Sequence, residues 1–100
     1  MYNCAYINDM EIEWDGKKTI SNTKKHGIDF ADAVSVLEDE RAITNSEDVA
    51  EEQRFMTIGM DSFHRICVVV YTRRGARIRL ISARKATKNE IKQYKGELNE

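Results

Sequence analysis

Apolar positions first alternate along this chain, then fall on a helical stripe, then return to strand-like runs. Glu11-Ile12-Glu13-Trp14 alternates and predicts a short strand. Asp15 follows, and its carboxylate can accept from the free amides of a first helical turn, so a helix is expected from there to about His26. Gly27 suits the left-handed residue that ends such a helix. Asp29 is placed to cap a second helix. In it Phe30, Ala33, Val34 and Leu37 recur at i, i+3, i+4 and i+7, one buried stripe, before Glu38, Asp39 and Glu40 end it in solvent.

The second half reads mostly as strands. A short strand is expected at 42–44 and a polar loop at 49–53. Phe55-Met56-Thr57-Ile58 is bounded by Gly59, and the apolar run within 65–73 suits a central strand covered on both faces. Gly75 turns the chain into a third strand over 76–84. Residues 61–64 read as a hairpin tip, which leaves His64 without an expected role. Thr87-Lys88-Asn89-Glu90 is a capping box, and the helix it opens carries Ile91, Tyr94 and Leu98 on one face. The predicted order is β-α-α-(β)-β-β-β-α. Short links between successive strands imply an antiparallel sheet and an α+β fold. With 100 residues, a single domain over 1–100 is expected, residues 1–10 forming a peripheral extension.

Composition changes this picture little. No apolar run reaches the length of a membrane span, and residues 1–10 lack the basic and apolar regions of a signal peptide, so a cytoplasmic location is the expectation. Cys4 and Cys67 offer no metal-ligand spacing, and Cys67, inside Ile66-Cys67-Val68-Val69-Val70, reads as a small buried hydrophobe. Charge is more informative. The net value of −1 hides thirteen acidic and five basic side chains in 1–52 against four acidic and eleven basic in 53–100. Between Arg73 and Lys95 lie nine Lys or Arg and one acid, Glu90. Such a cluster suits a polyanion, or it is a solvated face balanced by the acidic half.

Three places can carry chemistry. In Arg77-Ile78-Arg79-Leu80-Ile81-Ser82 a period of two sets Arg77, Arg79 and Ile81 on one face and Ile78, Leu80 and Ser82 on the other. Two arginines on a strand face are exposed, paired with acids, or line a groove for phosphate. Arg84 and Lys85 stand where that strand ends and a helix begins, a place where basic groups hold anions. Lys24-Lys25-His26 closes the first helix. Its cations complement the helix dipole, and His26 can move a proton near neutral pH. No Gly-rich nucleotide loop and no Ser-His-Asp or Cys-His signature is present.

These residues resemble the BrnT family of type II toxins, relatives of the RelE-like ribonucleases. The similarity runs from about residue 11 to 95. It rests on Glu11-Ile12-Glu13-Trp14-Asp15, Lys17, Asn22, Lys25-His26-Gly27-Ile28, Phe30, Ala33, Glu52-Gln53-Arg54-Phe55, Ile58-Gly59, the run Arg77-Ile78-Arg79-Leu80-Ile81-Ser82-Ala83-Arg84-Lys85-Ala86, then Glu90 and Tyr94. The resemblance implies a RelE-like antiparallel sheet flanked by helices. It implies an endoribonuclease that needs neither metal nor cofactor, with RNA as substrate. A ribbon-helix-helix antitoxin of the BrnA type would be the partner, in a heterotetramer that reaches operator DNA only through the antitoxin. On that resemblance His26 is expected to act as acid or base, with Arg79 and Arg84 as clamps on the transition state. Lys25, Arg77 and Lys88 would hold flanking phosphates, and Tyr94 would stack on a base or orient a guanidinium, unless it is core. Glu52 and Arg54 are expected to form a supporting ion pair. A non-catalytic relative that binds antitoxin or nucleic acid is the alternative.

Overall fold

The computed structural model describes residues 2–97. One six-stranded sheet organises them, in the order β1-β2-β6-β5-β4-β3. Its strands are β1 (Tyr2–Ile7), β2 (Met10–Asp15), β3 (Ile43–Val49), β4 (Glu52–Met60), β5 (Ile66–Arg74) and β6 (Arg77–Lys85). Helix α1 (Gly16–His26) follows β2, and α2 (Phe30–Ala33) runs on into a 3₁₀ turn over Val34–Glu38. Helix α3 (Lys88–Lys95) follows β6. The architecture is α+β, as the pattern implies.

Three features depart from that pattern. First, residues 2–7 form a strand. They pair with β2 across Asn8 and Asp9, whose φ values of 49° and 67° make a two-residue turn of the left-handed kind that matches strand twist. This strand occupies one edge of the sheet. Second, the sheet is not wholly antiparallel. β2 and β6 run parallel, Glu11 opposite Arg77 and Glu13 opposite Arg79, because the two strands are joined by most of the chain rather than by a short link. Third, β3 is longer than 42–44, and the expected loop at 49–53 is only the turn Ala50-Glu51.

The helices follow their local signals. Asp15 accepts from the Lys17 amide at 2.8 Å, and Gly27 ends α1 with φ 75°. Thr87 and Glu90 close a full capping box on α3. Of the face expected on α3, Leu98 lies outside the described residues.

One face of the sheet carries the main core. Ile12, Trp14, Val69, Tyr71, Ile78, Leu80 and Ala83 pack there against Ile28, Phe30, Ala33, Val34 and Val36. Gly59 lets β4 approach the 3₁₀ turn: a Cβ there would meet Val36 Cγ1 and the Val36 carbonyl at 3.0 Å. Asn22 fixes α1 along β6 beyond the end of β2. Its side chain donates to the Ala83 carbonyl at 2.7 Å and the Ile28 carbonyl at 2.8 Å, and it accepts from the Ala83 amide at 3.1 Å. A helix-borne amide thus satisfies backbone groups that the shorter neighbouring strand leaves open. Among the described residues, no helix is long and apolar enough to cross a membrane.

Candidate active site

The second sheet face holds the charged side chains. In β6 the alternation breaks at Ile81: Leu80 lies opposite Tyr71, Ser82 lies opposite Val70, and Ile81 has no partner. This bulge shifts the register by one. Ala83 therefore joins Ile78 and Leu80 in the core, and Ser82 and Arg84 turn to the face of Arg77 and Arg79. The strict period of two expected for this strand is corrected accordingly. Without the bulge, Arg79 and Arg84 would point to opposite sides of the sheet.

Glu13 organises the arginines. It is 4% exposed on β2 and accepts from Arg77 Nη1 at 3.0 Å and from Arg79 Nε at 2.7 Å, with a second bond from Arg79 Nη2. Its hydrogen bond raises the Arg79 pKa, so that guanidinium stays charged. Arg79 also lies over the Tyr2 ring, 4.4 Å from its centroid. Glu11, the register partner of Arg77, and Asp15, whose charge also acts on Arg79, share this face of β2 with Glu13.

Arg84 is held differently. Glu90 receives its fork at 2.7 and 2.9 Å, and the Lys85 carbonyl takes a further bond at 3.3 Å. Arg84 is therefore no free clamp in this structure: it ties the first turn of α3 to the sheet. The Arg84 guanidinium, helped by the Thr87 amide, pulls the Glu90 carboxyl down to about 2. A depressed carboxylate stabilises the fold fully above its ordinary value of 4.5, and the contribution is lost as pH falls toward 2. Glu90→Gln should lower the melting temperature at neutral pH and flatten its fall between those two pH values, read by thermal melts across an acid series.

Helix α1 brings Lys25 and His26 to β6. A cleft of about 220 Å³ is lined by Lys18, Ser21, Asn22, Lys25, His26, Ile81 and Ser82. Ser82 stands between Arg79 and Arg84 on their shared face, so the end of α1 meets β6 midway between the two arginines. Beside Ser82 the floor is half-buried Val70 and Met56, its register neighbours on β5 and β4. Lys88 is exposed as the first residue of α3, at the rim near the Arg84–Glu90 pair.

Tyr94 is not part of this assembly. Its hydroxyl donates to Asp39 Oδ2 at 2.5 Å and anchors the far end of α3 near β4, where Asp39 also accepts from the Met60 amide. That bond raises the Tyr94 pKa. The expected Glu52–Arg54 pair is also corrected, because Glu52 pairs with Arg74 at 3.3 Å. Glu52 and Arg74 lie just beyond Arg54 and Thr72, the last register pair of β4 and β5, and their side chains meet across the two strands.

Arg54 is left on the open face, directly opposite Thr72, which is opposite Arg79. The Nε of Arg54 and the hydroxyl of Thr72 are buried with no hydrogen-bond partner among the described residues. Neither was marked for chemistry by sequence, nor was Glu13. An apolar neighbour on either side made Glu13 read as the outward half of a strand, and only the β2–β6 pairing reveals its role. Cys67 is fully buried, and burial pushes its thiol up to about 11, as befits an inert core residue. His64 is exposed in the turn between β4 and β5. Among the described residues, no group of three His, Cys, Asp or Glu side chains is arranged to hold a metal.

Comparison with known proteins narrows the chemistry. The profile of a family described as "Ribonuclease toxin, BrnT, of type II toxin-antitoxin system" matches residues 14–90. The crystal structure of the Brucella abortus ribonuclease toxin, BrnT, is similar to this chain at 29% identity, with a TM-score of 0.57 over 75% of this chain and 94% of that one. No curated protein sequence matches it.

Proposed function

Because this chain belongs to the BrnT family of ribonuclease toxins of type II toxin–antitoxin systems, we propose that it cuts RNA without a metal or cofactor, using the 2′-hydroxyl as nucleophile. The observation that carries this reading is the bulge at Ile81, which sets Arg79, Ser82 and Arg84 on one face, with Ser82 also lining the cleft beside Lys25 and His26.

The reaction needs three things from the protein. A base takes the 2′-hydroxyl proton, a cation stabilises the charge on the phosphorane, and an acid gives a proton to the departing 5′-oxygen. The 2′-oxygen bonds to phosphorus as the bond to the 5′-oxygen breaks, which yields a 2′,3′-cyclic phosphate and a 5′-hydroxyl. His26 serves as acid or base, since imidazole exchanges protons near neutral pH. Arg79 stabilises the phosphorane, with Glu13 aiming its guanidinium. Lys25, Arg77 and Lys88 hold neighbouring phosphates. Arg84, held by Glu90 as Arg79 is held by Glu13, is the second clamp on the same face. The Tyr94 hydroxyl is committed to Asp39, so it does not orient a guanidinium of the site, and any part of Tyr94 in binding is stacking of its ring.

Family membership extends the reading to partners. The antitoxin is of the BrnA type, with a ribbon-helix-helix domain. That domain dimerises and so gathers two toxins into a heterotetramer, which meets operator DNA through the antitoxin alone. Toxicity follows from loss of translated RNA in the cytoplasm. An RNA oligonucleotide should be cut, and the same sequence with a single 2′-deoxy residue at the cleavage position should stay intact there. Cleavage at the deoxy position would exclude the 2′-hydroxyl as nucleophile.

A further inference from the structure

We propose that Arg54 and Thr72 form a phosphate subsite at the centre of the open sheet face, one that binds a non-scissile phosphodiester of the RNA. Thr72 is 1% exposed, and a buried hydroxyl without a partner carries an uncompensated desolvation cost. The Nε–H of Arg54 is in the same state beside it, on the directly paired residue of β4. Arginine has only donors. What Arg54 lacks is therefore an acceptor oxygen, which the Thr72 hydroxyl can also donate to, and beside an uncompensated guanidinium that acceptor is best an anion.

Charge pairing along the face singles out the same spot. The fork of Arg84 is filled by Glu90, Arg74 is paired with Glu52, and Arg77 and Arg79 share Glu13. Arg54 has no ion pair among the described residues, and Glu47, its register partner on β3, does not reach it. Arg54, Thr72 and Arg79 lie on three successive strands in one line. Strands are spaced about 4.8 Å apart, so the two arginines are roughly 10 Å apart at the backbone, with the Thr72 hydroxyl between them. A strand of RNA that presents one phosphate to Arg79 and Ser82 would bring a neighbouring one over Arg54 and Thr72. A phosphate has two unbridged oxygens, enough to accept from the Arg54 Nε–H and the Thr72 hydroxyl together once the side chains that cover these two buried atoms swing aside.

The subsite rests on the RNA-cleaving reading for the identity of its ligand, and binding can be measured apart from cleavage. The probe is a labelled 2′-O-methyl oligonucleotide, which keeps its phosphates and lacks the nucleophile. Its affinity is measured across a salt series for wild type, Arg54→Gln, Arg54→Lys and Thr72→Val. Arg54→Gln should weaken binding about tenfold and reduce the slope of log affinity against log salt by about 0.7, the value for one phosphate on a single strand. Arg54→Lys should restore the slope but only part of the affinity, because it keeps the charge and loses the Nε–H. Thr72→Val should weaken binding about threefold while its melting temperature stays level or rises, since a methyl group there leaves no orphaned hydroxyl. A role in the fold alone would give the opposite pattern. Unchanged affinity and slope in folded Arg54→Gln and Thr72→Val would overturn the proposal. If wild type bound the probe with the expected variant effects yet never cut RNA, the subsite would stand and the ribonuclease reading would fall.

Discussion

Arg79→Ala is expected to lower kcat/KM for RNA by about 10²–10³-fold, mostly in kcat. The magnitude is that of removing one preorganised donor aimed at developing charge. Arg79 qualifies because its position is fixed before substrate arrives: Glu13 holds it from one side and the Tyr2 ring from another. The fold should survive the change. Glu13 keeps Arg77 as a partner, so the buried carboxylate is not left without a cation. A melting temperature within several degrees of wild type is the necessary control. Arg79→Lys should recover only part of the rate, since an ammonium cannot fill the two-point contact with Glu13 and face a phosphate in the same geometry. A rate within threefold of wild type in Arg79→Ala would remove this residue from the mechanism.

The second large effect concerns stability. Asn22→Ala deletes three hydrogen bonds and leaves the Ala83 amide and carbonyl unsatisfied at a buried junction, while the Ile28 carbonyl keeps only the 3.4 Å bond from the Thr23 hydroxyl. Orphaned buried groups cost roughly 1–3 kcal/mol each, and partial access of water reduces the sum, so a loss of about 3 kcal/mol is expected. For a domain of this size that is a fall of roughly 12–24 °C in melting temperature. Asn22→Asp should fare no better, because a carboxylate can accept from the Ala83 amide but cannot donate to either carbonyl. Function should follow structure here. Asn22 pins α1 to β6 four residues from His26, so activity measured well below the melting temperature should also fall. A stable, fully active Asn22→Ala would show that the placement of α1 does not matter.

The parts of this molecule that were legible in its sequence are those governed by local chemistry. Asp15, Gly27 and the Thr87–Glu90 box fixed both ends of α1 and the start of α3, because caps act within one turn. The stripe of Phe30, Ala33 and Val34 became core, although the helix that carries it tightens into a 3₁₀ turn after four residues. The parts that were not legible depend on pairing across the sheet. β3 is polar on both faces and almost wholly exposed, so no alternation announces it. The parallel contact of β2 with β6 joins residues more than sixty positions apart, and together with β1 on the other side it buries Glu13. The candidate site residues divide in the same way. Lys25, His26, Arg77 and Arg79 were recognisable by type and motif. Whether Arg79 and Arg84 shared a face depended on one unpaired residue, Ile81, which nothing in the local sequence marks as a bulge. Arg54 stood in a matching motif, but its lack of a partner is visible only when Glu52 is found beside Arg74.

The central claim is that this protein breaks RNA with its own side chains and the substrate's 2′-hydroxyl. Incubation of purified wild type and Arg79→Ala with end-labelled RNA in excess EDTA, followed by analysis of the new ends, tests it most directly. The account predicts 2′,3′-cyclic phosphate and 5′-hydroxyl ends from wild type, and at most a trace from Arg79→Ala. Cleavage that EDTA abolishes, or products with 5′-phosphate ends, would contradict it.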